Sequence, residues 1–159
     1  MRETIASTWI YQLVIIFILM FVAFLILSLT YSKNYKTKNE IIDIIEKYEG
    51  VNQKSVQLIN NYLSYTGYKV KHSCPTQPND WLGATSLENI SLTKAQVGEK
   101  YYYCLRRVIN SNKMYYQVKT FFKFNLPIFG DIHTFTVDGT TNDIFRNSDL
   151  FTDILYNKE

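Results

Sequence analysis

The stretch Thr8 to Leu29, TWIYQLVIIFILMFVAFLILSL, runs 22 residues without a charge. About 20 apolar residues are enough to cross ~30 Å of hydrocarbon as a helix. From Leu13 to Leu27 every residue is apolar, so no face is left for water. Trp9 and Tyr11 at one end, with Tyr31 and Tyr35 at the other, stand where interfacial aromatics belong. A cleaved signal peptide has a shorter apolar region, about 7–15 residues, closed by small residues. Ser28-Leu29-Thr30 is a poor match to that rule, and the stretch reads as an uncleaved single-pass anchor.

Working outward, no Gly or Pro occurs before Gly50. Ile41, Ile44, Ile45 and Tyr48 recur at helical spacing, so one helix is expected from the membrane to Tyr48. The resulting division is a short tail over 1–7, a transmembrane helix over 8–30, a helical stalk over 31–49 and an extracytoplasmic domain over 50–159. Arg2 precedes the span while Lys33, Lys36 and Lys38 follow it, but long flanking domains translocate largely regardless of charge. Two cysteines in a strand-rich domain suit an oxidising compartment. The expected location is the cell membrane, with the N-terminus cytoplasmic and the C-terminal domain outside.

In the domain, Asn52 or Ser55 caps a second helix whose stripe is Val56, Ile59, Tyr62 and Leu63, and Gly67 ends it. Tyr68, Val70, His72 and Cys74 then alternate with polar residues as a half-buried strand. Residues Pro75 to Val97 read as a long loop. A strand meander follows over Tyr101–Ile109, Met114–Leu126 and Ile132–Asp138, and an acidic tail from Ile144 to Tyr156 has helical character. In the longest run Tyr116, Val118, Thr120, Phe122, Phe124 and Leu126 share the face turned toward the helices. The fold class is α+β: a long N-terminal helix, a short helix and an antiparallel sheet of about four strands.

The 159 residues suffice for one domain, and a net charge of +3 without clustered basic residues argues against nucleic acid. Cys74 and Cys104 enclose 29 residues, and their pairing as a disulfide would contribute about 3.5 kcal/mol in the chain-entropy account. A nucleophilic Cys104 helped by Arg106 and His72 or His133 is the enzymatic rival, but no sortase-type signature precedes Cys104. His72, Cys74, Cys104 and His133 have the residue types of a zinc site and lack its usual spacings. Phosphate-loop, dinucleotide, serine-hydrolase and zinc-protease motifs are absent from the sequence. No enzyme activity, metal, cofactor or small-molecule ligand is therefore expected. Between residues 51 and 141 ten Lys/Arg face five Asp/Glu, and tyrosines are dense. Tyr102, Tyr115, Lys119, Phe121 and Lys123 form the candidate partner surface, on the sheet face away from the helices.

An apolar N-terminal helix continuing into an amphipathic stalk and packed on an antiparallel sheet resembles type IV pilin-like proteins. It is most similar to the small pseudopilins of tight-adherence systems of low-GC bacteria. The residues bearing the likeness are Leu13 to Leu29, Ile41 to Tyr48 and the strand ending Phe122-Lys123-Phe124-Asn125-Leu126-Pro127. Prepilins of this kind carry a Gly or Ala before the apolar run and a Glu within it. Here Glu3 precedes the run and no Gly does. The resemblance thus implies an unprocessed, non-enzymatic accessory subunit of a surface pilus or secretion apparatus, with other membrane or pilus proteins as partners. The alternative expectation is a free-standing anchored domain binding an anionic wall polymer or lipid.

Overall fold

The computed structural model describes residues 2–110, 113–126 and 130–145; in 2–7, 124–126, 130–133 and 145 the backbone alone is described. One uninterrupted helix, α1 (Arg2–Lys47), spans 46 residues, as the lack of Gly and Pro requires. It takes in the backbone of residues 2–7, expected as a tail. Every large apolar side chain from Trp9 to Phe24 faces outward, and 40 residues from Thr8 to Lys47 form a helix long and apolar enough to cross a membrane. The last turns change character. Thr37, Lys38, Ile41, Ile42 and Ile45 are buried against the domain.

Two C-caps of the same kind end the helices. At α1, Gly50 N donates to Ile45 O and Glu49 N to Glu46 O, with Glu49 itself in the left-handed region at φ 54°. Gly50, expected as the stop, takes the following position at φ 144°. Helix α2 (Gln53–Tyr65) starts on a capping box in which Asn52 and Ser55 satisfy each other's backbone amides, so both expected caps act together. It ends where Tyr68 N donates to Leu63 O and Gly67 N to Ser64 O, with Gly67 at φ 68°.

The sheet contains β1 (Trp81–Ala84), β2 (Leu92–Lys94), β3 (Tyr103–Asn110), β4 (Lys113–Leu126), β5 (Gly130–Thr140) and β6 (Ile144–Phe145). All its pairings are antiparallel, in the order β2-β1-β3-β4-β5, and β6 pairs with the start of β4. The three long strands lie where alternation places them. Three expectations are corrected. The Pro75–Val97 stretch contains the hairpin β1–β2, whose four and three residues are too short to show a period. The 68–74 segment is no strand of the sheet, since its only ladder contact is an isolated bridge between His72 and Tyr101. Ile144 and Phe145 are strand rather than helix; the rest of the acidic tail lies outside the described residues.

The core has two parts, one on each side of the sheet. On the helix side Ile41, Ile45, Val56, Ile59 and Leu63 meet Tyr103, Leu105, Tyr116 and Val118, all at 1% exposure or less. Phe122, also on that face, is edge-on to Tyr31 of α1 at 6.4 Å. On the other side lies a smaller cluster of Cys74, Trp81, Tyr101, Cys104 and Phe121, with Val70 and Ala95 against it. Segment 68–80 is what covers that side. Alternation through the tyrosines 101–103 fails because the chain bends at Tyr102, so Tyr101 and Tyr103 enter opposite cores.

Candidate functional site

Odd-numbered residues of β4 from Lys113 to Lys123 form the sheet face turned away from the helices, and the register aligns them with their neighbours. Trp81, Arg106, Gln117 and Thr140 form one transverse row; Gly83, Cys104, Lys119 and Asp138 form the next. Between these rows lies a shallow depression of about 360 Å³, lined by Trp81, Gln117, Lys119, Asp138 and Thr140. Trp81 belongs to the second core and is 4% exposed, and two cations lie near its ring. The Arg106 guanidinium carbon lies 6.0 Å from its ring centroid and Lys119 Nζ 5.5 Å. Each cation is held in turn by a carboxylate: Arg106 Nε by Asp80 Oδ2 at 2.8 Å, and Lys119 Nζ by Asp138 Oδ2 at 2.6 Å. Arg106 Nη1 also reaches Gln117 Oε1 at 3.5 Å.

The structure disperses the five residues of the candidate surface. Lys119 and Tyr115 are half-buried on this face, and Lys123 is exposed near its lower end. Phe121 shares the face but is fully buried, so its expected exposure is corrected: His72 packs edge-on at 5.4 Å and the 68–80 segment closes over it. Tyr102 belongs to the helix-side cluster instead, with Lys71 Nζ 4.3 Å above its ring. Sequence alternation had no means of showing either fact, because both depend on the bend at Tyr102 and on a segment some 50 positions upstream of Phe121. Trp81, which lines the depression, and Arg106 beside it lie outside the candidate surface the sequence suggests. The nearest sequence signal was Trp81 itself, a tryptophan in what read as a polar loop.

Cys74 and Cys104 are joined by a disulfide, with Cα atoms 5.8 Å apart, inside the range the bond requires. Both sulfurs are thereby unavailable as a nucleophile or as zinc ligands. His133, invoked in both, has its side chain outside the described residues. Among the described residues no three His, Cys, Asp or Glu side chains gather as metal ligands. What the face offers is a charge-paired surface of hydrogen-bonding groups beside a buried tryptophan. Compared with protein families, curated proteins and solved structures, the chain matches none.

Proposed function

We propose that the chain is a non-enzymatic, membrane-anchored accessory subunit that works by docking its external domain on partner proteins, in the manner of the pseudopilins it resembles. A surface pilus or secretion apparatus is the assembly such a subunit serves. The observation that carries this reading is the unbroken path of α1. Its first part is apolar on every side, while Ile41, Ile42 and Ile45 are built into the domain core. A domain joined by a flexible linker samples many heights and orientations. A domain whose core includes the end of its own anchor is held in one pose, which suits stoichiometric assembly. An outward-facing domain is supported by the disulfide, since such bonds persist in oxidising compartments.

The anionic-polymer reading draws less support. Arg106, Lys113 and Lys119 are each engaged by a carboxylate, from Asp80, Asp143 and Asp138. A phosphate-rich polymer would have to compete with these pairs.

The test is photo-crosslinking in intact cells of the source organism, with a benzophenone amino acid at Tyr115 or Gln117 of the full chain. A discrete adduct with a membrane or pilus protein is expected. Absence of protein adducts from both positions, together with salt-sensitive binding of the bilayer-reconstituted chain to teichoic acid, would overturn the proposal in favour of the polymer reading.

A further inference from the structure

Three contacts fix the direction of β5 against α1. Near the top, the Asn142 amide donates to the Glu46 carboxylate at 2.6 Å. Lower down, Gly139 sits so close to Lys38 and Ile42 that a Cβ there would meet both side chains. Lower still, the Tyr31 ring meets Phe122, which is stacked at 5.3 Å on its register partner Phe135. Strand β5 therefore descends beside the helix, read from Thr140 back toward Gly130. Lys38 to Tyr31 is ~10 Å of helix and Gly139 to Phe135 ~13 Å of strand, so the two run nearly side by side.

Below Phe122 and Phe135 the hairpin does not stop. Strand β4 continues to Leu126, still paired with β5 at Gly130, which adds four residues or ~13 Å. Tyr31 lies two residues past Leu29, at the level where interfacial aromatics lie. The headgroup layer on one side of a bilayer is only ~5–8 Å deep. A hairpin passing Tyr31 by more than that enters the layer in which α1 is embedded.

The side chains at this level agree with that position. Tyr31, Tyr35 and Phe135 are 55%, 47% and 44% exposed, three aromatic rings on one end of the domain. Lys33, Lys36 and Lys123 are exposed at the same end, suited to anionic headgroups.

We propose that the lower ends of strands β4 and β5, at Lys123 to Leu126 and Gly130 to Thr134, enter the headgroup layer of the bilayer that α1 spans, giving the domain a second membrane contact. A second contact beside the helix limits how far α1 and the domain fixed to it tilt in the bilayer, which a single span leaves variable. The inference rests on α1 being the span and is independent of which partner the domain meets.

The test uses the full chain in vesicles of phosphatidylcholine and phosphatidylglycerol at three to one. Nitroxide labels are placed singly through Phe135→Cys, Leu19→Cys in the span and Asn110→Cys at the far end of β3. Power-saturation EPR then compares access of oxygen, which partitions into lipid, with that of a water-soluble nickel chelate. The oxygen-to-nickel ratio at position 135 is expected to exceed that at position 110 several-fold and to stay below that at position 19, as an interfacial site should. A ratio at 135 equal to that at 110, with 19 reading as lipid-embedded, overturns the hairpin contact alone. A water-exposed label at 19 overturns the span and the hairpin contact together. If Phe135→Cys disturbs the stack with Phe122, the neighbouring exposed Thr136→Cys serves the same comparison.

Discussion

The hydroxyl of Tyr68 donates to the carbonyl of Phe121 at 2.7 Å and accepts from the amide of the same residue at 2.8 Å. The β3–β4 ladder ends where Tyr103 faces Thr120, so Phe121 has no strand partner on that side. A phenol placed there supplies the acceptor and the donor that a neighbouring strand would have supplied. The second core is tied to the sheet by this contact as well as by the disulfide.

Tyr68→Phe keeps the ring and removes both hydrogen bonds. Leaving a largely buried amide and carbonyl unmet is expected to cost about 2–3 kcal/mol, read as a lowered midpoint in chemical denaturation of the detergent-solubilised chain. The pH dependence has a definite sign. Burial raises the phenols of Tyr68 and Tyr103 above the ordinary value of 10.0, with the Phe121 amide opposing part of the rise at Tyr68. The unfolded chain therefore loses these protons first. The stability they contribute is full below about pH 9 and falls once pH passes about 10. Tyr68→Phe should show a shallower alkaline decline than the native chain; an identical decline would contradict the burial of this phenol.

Much of this fold was legible in the residues. An uncharged 22-residue stretch with no breaker before Gly50 specifies α1, and Asn52 with Ser55 specifies the start of α2. Strands β3, β4 and β5 show because each is long enough for a period of two. The candidate surface was legible only in part. Lys119 and Tyr115 follow strand alternation, a local property. Phe121 is interior because residues far upstream close over it, and no local pattern records that. Trp81 reads as loop because β1 acquires its extended form from pairing with β3, which its own four residues do not announce.

The burial of Phe121 gives a direct ranking. Phe121→Ala should cost ~3–5 kcal/mol, the range for truncating a buried phenylalanine. Lys119→Ala, two positions away on the same face, removes a partly exposed ion pair with Asp138 and should cost ~1 kcal/mol or less. Thermal melts of the two variants decide the matter. Equal and small losses would return Phe121 to the surface and remove the second core.

Two glycines separate a backbone requirement from a side-chain one. A Cβ on Gly83 would overlap the ring of Tyr101, which is fully buried and held by Glu99 through its hydroxyl at 2.6 Å. A Cβ on Gly139 would meet the flexible ends of Lys38 and Ile42, at 2.6 and 2.7 Å. Gly83→Ala is expected to destabilise by ~2–3 kcal/mol, while Gly139→Ala should cost about 1 kcal/mol or less as those ends shift. Denaturation midpoints check the order, and a Gly83→Ala variant as stable as the native chain would mean that Tyr101 is not seated over β1.

The disulfide yields the last prediction. Cys104 is fully buried and Cys74 is 5% exposed, and between them they fasten the 68–80 segment to β3. A loop closed across a separation of 30 residues restricts the unfolded chain by about 3.6 kcal/mol in the entropy account. The double variant Cys74→Ser, Cys104→Ser should fall short of the native chain by roughly that amount. Because the sulfurs are shielded, dithiothreitol should reduce the native protein slowly and the denaturant-unfolded protein quickly, as followed by mass shift on alkylation. Once reduced, the native chain should melt with the double variant. A double variant that melts with the oxidised chain would show that the second core holds its segment without the crosslink, leaving the Tyr68 contact to Phe121 as the principal tie.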